Sequence, residues 1–386
     1  MSINFNSIQP WSNMIRCTLA DNGDVNHYFG ETGYAEDGSD GQVMVEIPMF
    51  YYRRYKDIPT SEMANAVSFR PKAGFNLHPA FTHNGEIQTK IYIGAFLASF
   101  YDVSGSAYAD YYVGNATPNT DGDGDADNSP SGVTPDTTAT SGDKLASVAG
   151  RFPLTELTRA NFRTLAKNRG SRWSLVDYSS LTAVQLLQMV ELGSIDGQTA
   201  LGMGVVNKTW NSTMKAEETG TTTYTLASPN YGEATGLYHM MYRGIEDLWG
   251  NCWQWIDGIN INFTTVVDTA DTPIPYWCNN TANYADDTTT NYEDLGIVLS
   301  SYPSIGGYGY IKNIHDTPDW GFLPSEHQAA AGYFRDYWYP SSGAGWRVLA
   351  SGGGWYDGSM YGPFALSGNY FSARTSLYFS SRLLCF

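Results

Sequence analysis

The sequence predicts an α+β fold, in which a small, mainly β N-terminal module precedes two helices and a long, loop-rich β region. Residues 43–54 are rich in β-branched and aromatic side chains, which is typical of a strand leading into a turn. Residues 158–192 hold two segments whose apolar residues have helical spacing. After Gly193, short apolar runs alternate with Gly, Asn, Asp and Thr, which indicates strands joined by loops.

The chain is predicted to divide at residue 87. Residues 1–87 are expected to form a β-rich module for attachment or oligomerisation, and residues 88–386 a second domain. Residues 91–101 form an almost continuous apolar run, which predicts one buried strand. Residues 104–145 are dominated by Gly, Asp, Thr, Ser and Pro, which predicts a mobile insertion.

An acidic run at residues 121–127 suggests a calcium loop. However, Gly132 or Thr134 stands where an EF-hand loop has its bidentate Glu. A solvated insertion is the simpler interpretation of this run.

The two helices have identifiable ends. The first is expected to start near Thr158 and to stop at Gly170. The second is expected over residues 181–192, with Ser179 or Ser180 as its cap and Gly193 after its end.

The composition favours a protein that presents contact surface. Charged residues make up 16% and aromatic residues 15%, including 28 Tyr and 11 Trp, which supplies rigid amphipathic surface. The net charge of −17, with no basic stripe, excludes a nucleic-acid partner. The apolar run at 91–101 is about half of the roughly 20 residues that a spanning helix needs, so no membrane insertion is expected. Residues 1–17 lack the pattern of a signal peptide.

No catalytic residue, metal site or cofactor is predicted. The four cysteines, at positions 17, 252, 278 and 385, lack C-x-x-C spacing and are expected to be buried free thiols. The six histidines show no metal-ligand spacing, and no G-x-S-x-G motif is present.

A tryptophan-rich segment at residues 248–258 reads Leu-Trp-Gly-Asn-Cys-Trp-Gln-Trp-Ile-Asp-Gly. Trp253 and Trp255 alternate, so on a strand both side chains point to one face. A core anchor is the simpler interpretation, and a carbohydrate-stacking platform is the alternative. The segment resembles the G-N-V-W-E-W signature of the C-type lectin fold in formylglycine-generating-enzyme-like proteins. The resemblance runs from about residue 88 to the last residues and implies a C-type-lectin-like domain.

Formylglycine-generating enzymes act through a cysteine pair in the C-terminal part of this fold. Here only Cys385 lies in that part, and residues 352–382 contain no cysteine. The resemblance therefore implies the scaffold without its catalytic pair.

Residues 337–386 have the composition of a binding surface. They hold thirteen aromatic residues and seventeen Ser or Gly, but only four charged residues. Antibody paratopes combine the same residue types, because Tyr and Trp give contact area at small entropic cost while Ser and Gly adapt. An ordinary Gly-rich β region is the alternative.

The order Gly-Gly-Trp-x-x-Gly-x-x-x-Gly-x-Phe at residues 353–364 is followed by a Ser/Asn/Tyr-rich run and an Arg-Leu pair. This layout resembles the variable region of diversity-generating retroelement proteins, whose best-known members are phage tropism determinants at tail-fibre tips. Residues 42–52 and 166–175 are similar to gut-phage and prophage members of that group.

In that family, randomised Asn codons can become Tyr, Ser, Asp, Phe, Thr, Ala or Gly, but never Trp. The resemblance therefore implies that Trp355, Phe364, Leu366, Arg382, Leu383 and the motif glycines are scaffold, and that Trp346 is scaffold that also lines the site. It implies a ligand-binding surface of Tyr339, Trp346, Tyr356, Asp357, Ser359, Met360, Tyr361, Ala365, Ser367, Asn369, Tyr370, Arg374, Ser376 and Tyr378. Its aromatic members Tyr356, Tyr361, Tyr370 and Tyr378 are expected to form one contiguous patch facing solvent.

The expected function is host adhesion by a phage or prophage receptor-binding protein with a hypervariable surface. The resemblance implies a homotrimer in the virion, at the tail-fibre tip, assembled in the host cytoplasm. Its expected partners are a bacterial cell-surface receptor, protein or glycan, and other tail-fibre proteins. The alternative is a formylglycine-generating-enzyme-like enzyme or a carbohydrate-binding module.

Overall fold

The structure is a computed structural model, which describes residues 3–55, 64–117, 127–209, 216–264, 272–301 and 307–386. The first fourteen strands are Arg16–Leu19 (β1), Val25–Tyr28 (β2), Gln42–Pro48 (β3), Tyr51–Tyr55 (β4), Ala64–Ser68 (β5), Asn76–Leu77 (β6), Thr82–His83 (β7), Glu86–Ile87 (β8), Lys90–Gly94 (β9), Ser99–Asp102 (β10), Ala107–Ala109 (β11), Tyr111–Thr117 (β12), Asp127–Gly132 (β13) and Lys144–Ala146 (β14).

The later strands are Trp173–Leu175 (β15), Met241–Tyr242 (β16), Ile245–Glu246 (β17), Trp253–Thr264 (β18), Thr272–Trp277 (β19), Glu293–Asp294 (β20), Gly309–Ile314 (β21), Pro324–Gln328 (β22), Tyr337–Pro340 (β23), Gly345–Ser351 (β24), Leu366–Tyr370 (β25), Phe379–Ser380 (β26) and Leu383–Cys385 (β27). The α-helices are Arg159–Lys167 (α1), Tyr178–Leu192 (α2) and Gly197–Ala200 (α3).

The predicted α+β class with two helices is wrong, because the described chain is mostly β and has three helices. The third, α3, has only four residues. Many strands are two to five residues long, and strands that short carry too little alternation to be recognised in a sequence. The C-terminal β region was expected, whereas the strand content of the remaining chain was underestimated.

Both expected helices are present, with one corrected boundary. Thr158 caps α1, and its hydroxyl accepts a hydrogen bond from the Asn161 amide. The cap of α2 is Asp177, which accepts from the Ser180 amide, so the helix starts before the predicted serine caps. Gly193 follows α2 in the left-handed conformation, as a helix stop requires. Among the described residues, no helix is both long enough and apolar enough to cross a membrane.

A six-stranded sheet joins both ends of the chain in the order β15-β27-β9-β3-β1-β2. Strand β3 pairs with β9 over five residues, and β9 pairs in turn with β27. The predicted domain boundary at residue 87 therefore separates strands that share hydrogen bonds within one sheet.

A nine-stranded sheet carries most of the C-terminal half, in the order β20-β19-β18-β24-β25-β23-β21-β22, with β26 also paired to β18. Strands β18 and β24 pair antiparallel, whereas β23 and β25 run parallel. The register between β18 and β24 shifts between Ile256 and Asn260, where Gly258 has a positive φ of 71°. This irregularity turns the side chains after it to the other face of the sheet.

Two apolar cores result from that arrangement. Trp253 and Trp255, ahead of the shift, lie in one core together with α1. Ile259 and Ile261, after the shift, lie in the other core together with α2. The prediction that the two tryptophans anchor the core is confirmed, because Trp255 is fully buried and Trp253 is 6% exposed.

Two further predictions concern residues 91–145. The single strand predicted at 91–101 is wrong, because a turn separates β9 from β10. Residues 91–100, including those between the two strands, are all buried, and an apolar run does not distinguish a buried turn from a buried strand. Within the predicted insertion at 104–145, the described residues form β11, β12, β13 and β14. The acidic run lies almost entirely outside the described residues, which resume at Asp127.

Candidate ligand-binding surface

Two connecting segments of the nine-stranded sheet carry most of the predicted binding residues. The first, residues 352–365, joins β24 to β25, and the second, residues 371–378, joins β25 to β26. Because β24 and β25 are neighbours and β26 pairs with β18, both segments begin and end on the same sheet.

The structure places the predicted residues in three environments. Tyr356 and Ser359 are exposed. The half-buried residues are Tyr339, Trp346, Asp357, Met360, Asn369, Tyr370 and Arg374. The buried residues are Tyr361, Ala365, Ser367, Ser376 and Tyr378.

The expectation that four tyrosines all face solvent is wrong for Tyr361 and Tyr378. Tyr361 is 3% exposed and Tyr378 is 7% exposed. Tyr356 is 39% exposed, and Tyr370 is half-buried. Period-two alternation failed because Tyr356, Tyr361 and Tyr378 lie in turns and loops, where side-chain direction does not alternate.

Five tyrosines form a group that we call the tyrosine cluster: Tyr308, Tyr310, Tyr337, Tyr339 and Tyr361. The rings of Tyr308 and Tyr339 stack with centroids 4.4 Å apart, and those of Tyr339 and Tyr361 stack at 5.9 Å. Tyr310 meets Tyr337 edge to face at 4.4 Å. The Tyr361 hydroxyl donates a 2.7 Å hydrogen bond to the Tyr339 hydroxyl.

The tyrosine cluster extends from the core to the surface. Tyr361 is buried, Tyr337 and Tyr339 are half-buried, and Tyr308 is 56% exposed. Tyr337 and Tyr339 alternate on β23 and therefore share one face of the sheet. Stacked aromatic rings offer a broad apolar area bordered by hydroxyl groups, which suits recognition of a partner.

Trp355, Tyr356 and Tyr378 form a second aromatic group. The Tyr356 ring lies 4.9 Å from Trp355 and 5.0 Å from Tyr378. Burial raises the pKa of the Tyr378 hydroxyl, and the charges of Tyr356 and Asp357 raise it further. Burial likewise raises the pKa of Tyr370, with a further contribution from the Asp357 carboxylate. Asp357 is thus a shared electrostatic neighbour of these tyrosines.

Asp357 also fixes the loop that carries it. One carboxylate oxygen, Oδ2, accepts 2.7 Å hydrogen bonds from the indole N–H of Trp253 and from the amide of Gly354. Burial raises the pKa of Asp357, and these two hydrogen bonds oppose the rise. A loop residue is in this way tied to a tryptophan of the central strand β18.

The other end of the 352–365 segment is held by Asp336. Its carboxylate accepts hydrogen bonds from the amides of Gly362 at 2.9 Å and Phe364 at 2.8 Å. Burial raises the pKa of Asp336 to about 7, and these two bonds oppose the rise. Two buried or half-buried carboxylates thus hold the loop, Asp357 near its start and Asp336 near its end.

Glycine allows the closest approach within this loop. Gly353 has a positive φ of 77°, and a Cβ there would overlap the Cβ of Tyr361. The motif glycine thus lets the tyrosine pack directly against the loop backbone. Trp355, Phe364, Leu366, Arg382 and Leu383, which were expected to be scaffold, are all buried.

Some predicted residues lie away from the tyrosine cluster. Trp346 pairs with Asn262 of β18, and its ring packs 5.8 Å from Tyr276 of β19. Arg374 lies over the ring of Tyr370 at 5.6 Å. Ala365 and Ser367 are buried beside Leu366 at the start of β25.

Tyr308, Tyr310 and Tyr337 belong to the tyrosine cluster but were not predicted as site residues. Tyr308 and Tyr310 lie outside the C-terminal fifty residues that the sequence pattern singled out. A signal was present, because each pair Tyr308/Tyr310 and Tyr337/Tyr339 has the period-two spacing of a strand face.

The cysteines lack the features of a nucleophile. All four are buried and free. Burial raises the pKa of Cys385 to about 12 and also raises that of Cys278. A thiol with so high a pKa holds its proton at neutral pH, and the thiolate is the nucleophilic form.

Together, the fold and this surface define a β-rich protein that displays an anchored aromatic surface. No protein-family model matches the chain, and no curated protein matches it. Similar solved structures include the Major Tropism Determinant U1 variant and the Major Tropism Determinant P3c variant. Each is 12% identical, with a TM-score of 0.29, over 96% of this chain and 71% of the other. These two proteins are remote structural neighbours of the chain.

Proposed function

We propose that this protein is a phage or prophage receptor-binding protein that attaches to a bacterial cell surface through its aromatic surface. The tyrosine cluster carries the proposal, because stacked rings that reach from the core to solvent form a preorganised contact area. The motif at residues 353–364, with its resemblance to retroelement variable regions, supports the same function.

Rigidity is the physical reason that such a surface binds well. The loop is held by Asp357 through Trp253 and by Asp336 through Gly362 and Phe364. A surface that is ordered before binding loses less conformational entropy when its partner docks. Tyrosine adds large contact area with only two side-chain torsions to fix.

The surface also fits the proposed hypervariability. Tyr356 and Ser359 are exposed, so other side chains at these positions alter the surface without entering the core. Tyr361 and Tyr378 are buried, so substitutions at these two positions must satisfy packing as well. We infer that variation at the exposed and half-buried positions contributes most to the choice of partner.

The proposed partner is a receptor, protein or glycan, on the surface of the host bacterium. The proposed location is the tip of a tail fibre in the virion, next to other fibre proteins, after assembly in the host cytoplasm. A homotrimer would present three copies of the surface and add avidity to individually weak contacts. Light scattering on the purified chain tests the trimer, and a monomeric mass would contradict it.

Cell binding by matched tyrosine variants tests the function. Labelled protein is titrated onto the bacterial strain whose chromosome or phage carries the gene. Tyr308→Ala should weaken binding by about 2 kcal/mol, the usual effect of truncating a central contact. Tyr55→Ala is the control, because Tyr55 is also exposed but lies on β4, outside the cluster.

The same experiment can contradict the proposal. If the wild-type chain does not bind that strain, host adhesion is wrong. If Tyr308→Ala and Tyr55→Ala bind equally well, the contact surface is elsewhere on the molecule. A near-duplicate of the last codons beside a reverse transcriptase gene would separately support the variable region.

A further inference from the structure

A buried group of potential metal ligands lies next to the anchored loop. His239, Glu246 and Asp247 each offer one ligand atom, and these three atoms lie within 4.8 Å of one another. His239 is 7% exposed, and the two carboxylates are 1% exposed. Two adjacent carboxylates are seldom buried in this way, because burying charge without a compensating partner costs free energy.

Hydrogen bonds satisfy some of the polar atoms of these three side chains. The Nδ1 atom of His239 lies 2.7 Å from Oδ2 of Asp247. Glu246 accepts hydrogen bonds from the Gly220 amide at 2.7 Å, from the Thr222 amide at 3.0 Å, and from the Thr222 hydroxyl. These contacts fix the Glu246 carboxylate close to the imidazole.

One oxygen of the group is unsatisfied. Oδ1 of Asp247 is buried and has no hydrogen-bond partner within the described part of the chain. Buried polar atoms without hydrogen-bond partners are rare in proteins, and a carboxylate oxygen that accepts no hydrogen bond is free to coordinate a cation. The orphaned oxygen is the observation, independent of the clustering itself, that points to a ligand.

The backbone around the group is held in place. The Arg382 guanidinium donates to the carbonyl oxygens of Glu246 at 2.7 Å and Asp247 at 2.8 Å. The Asn251 amide group donates to Oδ2 of Asp247 at 3.0 Å. Such outer contacts orient ligands in metal sites and tune their affinity.

We propose that His239, Glu246 and Asp247 form a binding site for one divalent transition-metal ion, with Zn²⁺ the best match. One imidazole and two carboxylates suit a borderline metal ion, and three protein ligands leave a fourth position for water. The ion takes the place of the proton between His239 and Asp247, and that proton is released to solvent. The site was not recognised in the sequence because its ligands lie at the two ends of a short hairpin, β16–β17, and not at helical spacing.

The ion would strengthen the base of the binding surface. The Gly250 amide donates to the Gly352 carbonyl, and the Gln254 side chain donates to the Asp247 carbonyl. Residues 247–254 therefore connect the metal ligands to the start of the 352–365 segment. A metal ion that binds these three side chains only in the folded state would raise the stability of the whole chain.

Direct location of the ion is the decisive test. Crystals of the full chain grown with Zn²⁺ are measured at the zinc absorption edge. The expected result is one anomalous peak between His239, Glu246 and Asp247. A map with no peak there, or with peaks only at other histidines, overturns the proposal and leaves a buried ion pair.

Calorimetric titration of the metal-free chain with Zn²⁺ gives a second measurement. One ion should bind per chain and raise Tm. His239→Gln should weaken binding by at least about tenfold, since even outer-sphere substitutions change metal affinity about 10- to 100-fold. His27→Gln is the matched control, because His27 also contacts an aspartate, Asp40, at 2.9 Å but lies outside the cluster. Equal binding by both variants would contradict the assignment, and the crystal experiment decides the matter if His239→Gln does not fold.

Discussion

At the scale of single residues, Tyr356 and Tyr361 have opposite environments although they are five positions apart in the same motif. Tyr356 is 39% exposed, whereas Tyr361 is 3% exposed and stacks on Tyr339. We expect Tyr361→Ala to destabilise the fold by about 3 kcal/mol or more, as other large-to-small core substitutions do. Tyr356→Ala should change stability by no more than about 0.5 kcal/mol.

Thermal melts and denaturant titrations of both variants measure the difference. Tyr361→Phe serves as the control for Tyr361, because it keeps the ring and removes only the hydroxyl that donates to Tyr339. A Tyr361→Ala protein that melts like the wild type would show that this side chain is not part of the core.

The raised pKa of Asp336 predicts that the stability of the fold depends on pH. Burial raises its pKa from 3.8 to about 7. Between these values the folded protein retains a proton that the unfolded chain has lost, so stability falls as the pH rises from about 4 to about 7. The total loss of stability across this range is about 4 kcal/mol, at 1.36 kcal/mol per pKa unit. Above about pH 7 no further loss arises from Asp336.

The measurement is the free energy of unfolding at several pH values for the wild type and for Asp336→Asn. Asparagine cannot ionise, so the difference between the two proteins should shrink or change sign across that range. Other titrating groups, such as Glu156, are present in both proteins and cancel. A constant difference between pH 4 and pH 7 would refute the assignment.

At the scale of elements, the 352–365 segment contains a natural pair of matched glycines. Gly353 and Gly358 both have positive φ, of 77° and 87°. A Cβ at Gly353 would overlap Tyr361, whereas a Cβ at Gly358 would have no atom within 4 Å. Gly358→Ala should therefore cost only the backbone term of about 1–2 kcal/mol.

Gly353→Ala should cost that amount plus the displacement of Tyr361. We also expect it to weaken cell binding, because Tyr361 supports Tyr339 in the tyrosine cluster. Denaturant titration and cell binding of the two variants test this element. Equal losses of stability and binding would show that the close packing of Gly353 has no role.

The elements differ in how far the sequence predicts them. Helix α1 was predictable because its apolar residues repeat on one face and Thr158 and Gly170 bracket it. The start of α2 was misplaced because Asp177, Ser179 and Ser180 are all residue types that cap helices. The break between β9 and β10 was missed because residues 95–98 are as apolar as the strands around them.

For the proposed binding surface, composition singled out a region but did not predict the direction of each side chain. The Ser, Gly and Tyr content of residues 337–386 predicts a contact surface, and the resemblance of the motif implies which positions are scaffold and which vary. The burial of Tyr361 depends on Gly353, against which it packs, and on Asp336, which accepts from the neighbouring Gly362 amide; both contacts form only in the folded chain. Tyr308 was missed because sheet pairing, not sequence proximity, brings it to Tyr339.

At the scale of the whole molecule, the six-stranded sheet predicts that residues 1–87 are not a removable module. Strand β3 hydrogen-bonds along β9, and both strands contribute to the core that contains α2. A chain starting at residue 88 would expose the edge of β9 and the apolar side chains that β3 covers. We expect it to be insoluble or to lack a cooperative thermal transition.

Expression of residues 88–386 and a thermal melt followed by circular dichroism test this expectation. A chain beginning at residue 8 is a suitable control, because it removes one short helical turn that has no buried residue and keeps both the core residue Trp11 and β1. A soluble, cooperatively folded 88–386 fragment would instead support a separable N-terminal module.

The position of β27 between two other strands has a consequence for synthesis of the protein in the cell. Leu383–Cys385 fill the gap between β15 and β9, so the ribosome must deliver these residues before the sheet can close. A premature stop codon or frameshift within residues 352–382 removes that strand and leaves the sheet split. Such a product exposes apolar surface, which invites aggregation and proteolysis. The fold thus makes solubility depend on a reading frame that stays intact through residues 352–382 and into β27.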